Sequence, residues 1–156
     1  MTMVEDERHG VATAGRDPVT ILLVEDNPLD ARSTIRAARK LELVESVEVV
    51  TDGQAALDRL RVPSTGPATV GLVLLDLNLP GKDGHDVLTE IRSDPLLQTL
   101  PVVVLTSSTE RADVDGAYRR GANAYVTKPT GLDGWIGVMD GIRDFWLRLA
   151  LLPGRA

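Results

Sequence analysis

The sequence predicts an α/β fold: a five-stranded parallel sheet with helices on both faces. Three observations carry that expectation. Short apolar runs and helix-spaced segments alternate five times along the chain, which is the pattern of strands joined by helical crossovers. The run VGLVLLD at 70–76 is almost wholly apolar, as a strand covered on both faces must be. Every apolar run also closes on polar residues. In sheets of this type ligands sit beyond the carboxyl ends of the strands, so those closing residues are the first place to look for chemistry.

The elements follow in order. Residues 1–17 are polar and without period, and read as a mobile tail. VTILLVEDN (19–27) is a buried strand ending in acids. In the following segment, 27–43, Asn27 suits a helix cap and Pro28 its first turn. There Ala31, Ile35 and Ala38 share one face, and Arg32, Arg36 and Arg39 share another that reads as a solvated face. VEVV (47–50) is a second strand. DGQAALDRLR (52–61) is a short helix with Ala56, Leu57 and Leu60 inward. After a loop the third strand, 70–76, leads through the turn LPGKDG into HDVLTEIRS, whose Val87, Leu88 and Ile91 have helical spacing. PVVVLTSS (101–108) is the fourth strand. TERADVDGAYRRG (109–121) is a poor helix, with Gly116 inside it and Gly121 at its stop. ANAYVTKP (122–129) is the fifth strand, and the last helix runs from near Thr130 to about Leu149.

Composition narrows the function. With 156 residues and 43% hydrophobic content the chain has material for one domain with a real core. A net charge of −6 argues against a nucleic-acid surface. The absence of cysteine excludes disulfides and thiolate metal sites. His9 and His85 are the only histidines, too few for a typical zinc site. No apolar run approaches the roughly 18 residues of a membrane span, and the acidic start MTMVEDERHG lacks the apolar core of a signal peptide. The expected setting is cytoplasmic.

The closing residues of the strands form a set. Strand one ends on Glu25 and Asp26, strand three on Asp76, strand four on Thr106 and Ser107, and strand five on Lys128. Taken singly, each is an ordinary polar residue at a strand–loop junction. Together they place three carboxylates, a hydroxyl and an ammonium on one edge. Two carboxylates about 4.5 Å apart repel by roughly 4 kcal/mol at an effective dielectric near 20, and one lysine offsets only part of that. Either a carboxylate is protonated or a divalent cation completes the site. With oxygen ligands alone the cation is a hard one, Mg²⁺ or Mn²⁺ in its place. A carboxylate so placed can attack a phosphoryl group to give an aspartyl phosphate. That transfer needs charge neutralisation and in-line positioning more than proton chemistry. On this reading Asp76 is the nucleophile, and Lys128 and Thr106 meet the phosphoryl oxygens.

LLVEDNP, LVLLDLNLPGKDG, VVVLTSS and GANAYVTKP resemble the receiver domain of bacterial two-component response regulators, over roughly residues 19–149. The order matches the family: an acidic pair, an acceptor Asp, Thr or Ser, then Lys-Pro. The resemblance implies a flavodoxin-like sheet of order 2-1-3-4-5 and a phosphoryl group received by Asp76 from a sensor histidine kinase or a phosphotransfer protein. It implies Mg²⁺ held by Asp26, Asp76 and the backbone carbonyl of Asn78, with Glu25 acting through water. It makes Thr106 and Tyr125 the switch pair, and it implies a cis Lys128–Pro129 bond; the few apolar anchors and interior glycine of 109–121 mark that helix as the part that moves. The domain is expected over 18–149, with 150–156 an apolar tail. The sequence stops at Ala156, so the expectation is a single-domain regulator.

The segment WIGVMDGIRDFWLRLALLPG holds both tryptophans and the only phenylalanine. One helix face cannot bury all of its apolar residues, so Trp135, Met139, Phe145 and Trp146 are expected to form a partner surface, with a homodimer through this helix and tail. The alternative is that the segment folds back on its own domain. The tail and the DLNLPGKDG loop together resemble regulators paired with phytochrome-type kinases. A rival function is a phosphatase-like hydrolase with Asp76 as nucleophile. Such enzymes carry a second Asp two residues on, and Asn78 stands there instead, which points away from a turnover enzyme. PGKDG fails as a phosphate-cradling loop, because Asp83 stands where Ser or Thr should follow the lysine.

Overall fold

The computed structural model describes residues 17–43 and 46–154. All but the last residue of the expected N-terminal tail lies outside the described residues, as do the final two residues of the C-terminal one. Five strands, β1 (Thr20–Val24), β2 (Val47–Val50), β3 (Val70–Leu75), β4 (Val102–Thr106) and β5 (Ala124–Thr127), alternate with helices α1 (Pro28–Lys40), α2 (Gly53–Arg61), α3 (Gly84–Ser93), α4 (Arg111–Arg119) and α5 (Gly131–Ile142). A π-helical segment, Arg143–Leu149, continues α5. All strand pairs are parallel, in the order β2-β1-β3-β4-β5, as expected.

Alternation along the strands sorts the core into two layers. Leu22, Val24, Val73, Leu75, Val102 and Val104 face α2, α3 and α4. Ile21, Leu23, Leu72, Leu74, Val103 and Leu105 face α1 and α5. Every residue of β3 is buried, because it lies mid-sheet between two helical layers. The helix starts are fixed by local chemistry. Asn27 Oδ1 accepts from the N–H groups of Leu29 at 2.9 Å and Asp30 at 3.3 Å, with Pro28 opening the first turn. Asp52 caps α2 through the Ala55 N–H at 2.7 Å, which gives a structural purpose to the acid that closes the second strand. Asp83 and Asp86 form a reciprocal capping box on α3.

Three expectations are corrected. The buried face of α1 is Thr34, Ala37 and Ala38, with Ala31 and Ile35 only half-buried. Thr34 can be buried because its hydroxyl donates to the Asp30 carbonyl at 2.8 Å; an apolar-periodicity reading passes over a satisfied threonine. Trp135 and Met139 are not a partner surface. They are 3% and 0% exposed and pack with Ile142 against the sheet, since their spacing puts all three on the inner stripe of α5. The Lys128–Pro129 bond is trans, the described residues containing no cis peptide; trans is the lower-energy isomer before proline. The Arg32, Arg36 and Arg39 face is exposed as expected.

Candidate functional site

The backbone ladder runs one residue past three of the strands and so delivers the polar set to one place. The Glu25 N–H donates to the Val50 carbonyl at 3.0 Å, the Asp76 N–H to Val24 at 3.1 Å, and the Lys128 N–H to Thr106 at 2.8 Å. Glu25 and Asp76 are therefore neighbours at the carboxyl edge of β1 and β3, and Lys128 closes β5 on the same edge, with Thr106, the last residue of β4, between. Close approach of α3 completes the frame. The Gly84 N–H donates to the Leu77 carbonyl at 3.0 Å, and a Cβ on Gly84 would lie 2.3 Å from the Asp76 carbonyl oxygen. Only glycine lets this helix begin against the Asp76 backbone.

Glu25, Asp26 and Asp76 each offer a carboxylate oxygen, and these oxygens lie within 4.8 Å of one another. Glu25 and Asp76 are buried, and Asp26 opens to solvent. Lys128 joins them from the other side. Its Nζ is 2.6 Å from Glu25 Oε1 and 3.0 Å from Asp76 Oδ2, and it also reaches Asp30 Oδ2 at 2.8 Å. The remaining Asp76 oxygen, Oδ1, accepts from the Asn78 N–H at 3.2 Å, and Glu25 Oε2 accepts from the Asn27 N–H at 3.1 Å. Burial pushes the Glu25 carboxyl up to about 7, with the Asp76 charge adding to the rise and Lys128 opposing it. For Lys128, burial acts to lower the pKa, but hydrogen bonds to Asp30, Glu25 and Asp76 outweigh it and hold the ammonium above its ordinary range.

The Thr106 hydroxyl is fully buried and has no hydrogen-bond partner among the described residues. A buried orphan of this kind costs about 1–3 kcal/mol, so its presence at the site edge asks for a function. Tyr125 is half-buried against the helix layer of α2–α4, and its hydroxyl donates to the Ser108 carbonyl at 2.8 Å. Burial raises its pKa, partly countered by that bond. Ser108 Oγ in turn donates to Asp113 Oδ2 at 2.6 Å, and Asp113 Oδ1 lies 3.4 Å from His85 Nε2. The Ser108 and His85 contacts hold the Asp113 carboxyl below its ordinary range.

Glu25, Asp26, Asp76 and Lys128 thus converge as the sequence indicated, and Thr106 and Tyr125 stand on the adjoining strands β4 and β5. The sequence reading missed Asp30, which looked like an ordinary acid in a first helical turn; its position one turn after Asp26 was the available signal. It also missed Ser108, Asp113 and His85, which join the loop after β4 to α4 and the start of α3. Phe145 is 53% exposed and Trp146 half-buried, their rings in edge contact at 5.0 Å.

An all-oxygen set of carboxylates fits a hard divalent cation, and one buried carboxylate with a raised pKa shows the charge that such an ion would relieve. The fit is therefore good for a divalent metal.

Comparison with known proteins agrees with this geometry. Residues 21–138 match the family model described as a response regulator receiver domain. The probable methanogenesis regulatory protein FilR2 of Methanothrix harundinacea is 40% identical over 148 residues, covering 94% of this chain and 96% of that protein. Response regulator Rcp1 of Synechocystis is 38% identical over 138 residues, covering 87% and 94%; a Mn²⁺-bound crystal structure of Rcp1 superposes with a TM-score of 0.75 at 38% identity, over 88% of this chain and 99% of that one. The phosphorylated cyanobacterial phytochrome response regulator RcpA superposes with a TM-score of 0.78 at 41% identity, over 86% and 98%. With the sheet order, the acidic edge and these matches in agreement, the chain belongs to the response regulator receiver domains of two-component signalling.

Proposed function

We propose that Asp76 is the phosphoacceptor of this receiver. The observation that supports this most directly is the buried Asp76 carboxylate held 3.0 Å from the Lys128 ammonium, at the same sheet edge as the orphaned Thr106 hydroxyl. In the transfer, an Asp76 oxygen attacks phosphorus of a phosphohistidine on the donor. The O–P bond forms, the N–P bond breaks with its electron pair left on the ring nitrogen, and that nitrogen takes a proton. Lys128 then faces phosphoryl oxygen in place of carboxylate oxygen, and the Thr106 hydroxyl gains the acceptor it lacks. Asp26, Asp76 and the Asn78 backbone carbonyl would hold Mg²⁺, with Glu25 acting through water. When bound, Mg²⁺ supplies positive charge opposite the phosphoryl oxygens.

The donor on this reading is a sensor histidine kinase, and the phytochrome-type class is favoured by the likeness to Rcp1 and RcpA. The absence of a second acid at Asn78 favours a signalling acceptor, cleared at most by its own slow hydrolysis, over a turnover enzyme. No helix among the described residues is long and apolar enough to cross a membrane, which accords with a cytoplasmic setting. The output is a change of interaction surface. Thr106 moves toward the phosphoryl group, Tyr125 follows, and α4 shifts with them. A second copy of the chain, met through the exposed part of the C-terminal segment, is the proposed assembly.

Incubation with acetyl phosphate and Mg²⁺ followed by intact mass tests the acceptor. The wild type gains one phosphoryl group, labile to hydroxylamine, and Asp76→Asn gains none. Equal labelling of both proteins would put the acceptor elsewhere.

A further inference from the structure

Lys128 has three N–H donors, and three carboxylates surround them. Glu25 Oε1 lies at 2.6 Å, Asp30 Oδ2 at 2.8 Å and Asp76 Oδ2 at 3.0 Å. The lysine side chain is only 8% exposed. A phosphoryl oxygen arriving on Asp76 therefore meets an ammonium whose donors are already committed, and one partner has to give way.

The three partners are not equally able to do so. Glu25 is 2% exposed and its other oxygen is tied to the Asn27 N–H. Leaving it would strand a buried carboxylate without its cation. Asp76 is 4% exposed and is itself the group being modified. Asp30 differs from both. Its side chain is 30% exposed, so its carboxylate can turn to water at little cost. Its backbone meanwhile stays fixed, with the N–H donated to Asn27 Oδ1 at 3.3 Å and the carbonyl accepting from the Thr34 hydroxyl at 2.8 Å.

We infer that Asp30 is a positioning residue: it holds Lys128 in the unphosphorylated protein and yields it to the phosphoryl group, so that its charge sets how readily the site accepts phosphoryl oxygen. This rests on the reading of Asp76 as acceptor. Removing the charge frees a lysine donor and takes a negative group away from the incoming anion, and both effects strengthen phosphoryl binding.

The test is binding of beryllium fluoride, a tetrahedral mimic of a carboxylate-bound phosphoryl group, followed by fluorine NMR at saturating Mg²⁺. Asp30→Asn should bind roughly fivefold tighter than wild type, the worth of one ion pair whose carboxylate reaches solvent, while Asp30→Glu, which keeps the charge, stays within about twofold of wild type. Asp30→Ser serves as the second neutral variant should Asp30→Asn fold poorly. A merely structural Asp30 would give neutral and charged variants the same affinity, or weaker binding in the neutral ones, and that result overturns the inference while wild-type binding keeps the acceptor reading intact. Absence of beryllium fluoride binding in every protein, together with equal acetyl phosphate labelling of wild type and Asp76→Asn, would remove both.

Discussion

Two residues of the site are held at a cost to the fold, and the cost is measurable. Thr106 buries a hydroxyl with no partner. Thr106→Val keeps the shape and removes the orphan, so it should raise unfolding stability by about 1 kcal/mol, read from urea midpoints, while slowing phosphorylation by acetyl phosphate. Loss of stability in Thr106→Val would show that the hydroxyl is satisfied in solution. Glu25 carries the second cost, since burial raises its carboxyl to about 7. A carboxyl raised above its unfolded value of 4.5 contributes stability that is full below pH 4.5 and is lost as pH climbs through 7. Without Mg²⁺ the wild type should therefore lose stability relative to Glu25→Gln between pH 5 and pH 8. Metal binding needs the deprotonated form, so Mg²⁺ affinity should rise over the same interval, with proton release visible by calorimetry in buffers of different ionisation enthalpy. Glu25→Gln should flatten both dependences.

At the scale of elements, the site depends on how tightly α3 meets β3. A Cβ at Gly84 would fall 2.3 Å from the Asp76 carbonyl oxygen and 2.6 Å from Leu77 Cα, and backbone atoms at both contacts leave nothing flexible to yield. Gly84→Ala should cost about 3 kcal/mol, measured by denaturant unfolding, and should depress phosphorylation in the fraction that remains folded. The helix on the other side of the site behaves differently. Among its residues only Gly116 and Ala117 are buried, and side-chain bonds from Asp113 to Ser108 and His85 tie its first turn down. An element with so little apolar anchorage opens at low free energy, so phosphorylation should change amide exchange across 111–119 while leaving β3 protected; unchanged exchange there would exclude α4 from the switch. These elements were legible to different degrees, for physical reasons. The strands announced themselves because β3 is buried on both faces and cannot alternate. The acids were legible because each closes an apolar run. Asp30 was not, since an acid in a first helical turn already has a sufficient reason to be there. Nor was the Asp113 bond to His85, which joins helices far apart in sequence.

For the whole molecule the open question is how the C-terminal segment divides between its own core and a partner. The sequence shows its apolar excess but not its division, because the period changes partway along. Trp135, Met139 and Ile142 keep helical spacing and enter the core. From Arg143 the chain adopts π-helical pairing, which inserts residues per turn and rotates the stripe. Beyond that point Trp146 and Leu147 still pack against the core, while Phe145 is 53%, Leu149 73% and Leu151 82% exposed, so three large apolar side chains are left in water. The two classes separate by mutation. Met139→Ala removes a fully buried side chain and should cost about 3 kcal/mol without altering the mass of the folded species. Phe145→Ser combined with Leu151→Ser removes no buried side chain, only the edge contact of Phe145 with Trp146, and should leave the unfolding midpoint of the isolated chain nearly unchanged. If Phe145 and Leu151 are where a second copy docks, sedimentation velocity will shift from a dimer for the wild type to a monomer for this double variant. A wild type that sediments as a monomer throughout the micromolar range would show that these side chains serve some surface other than self-association.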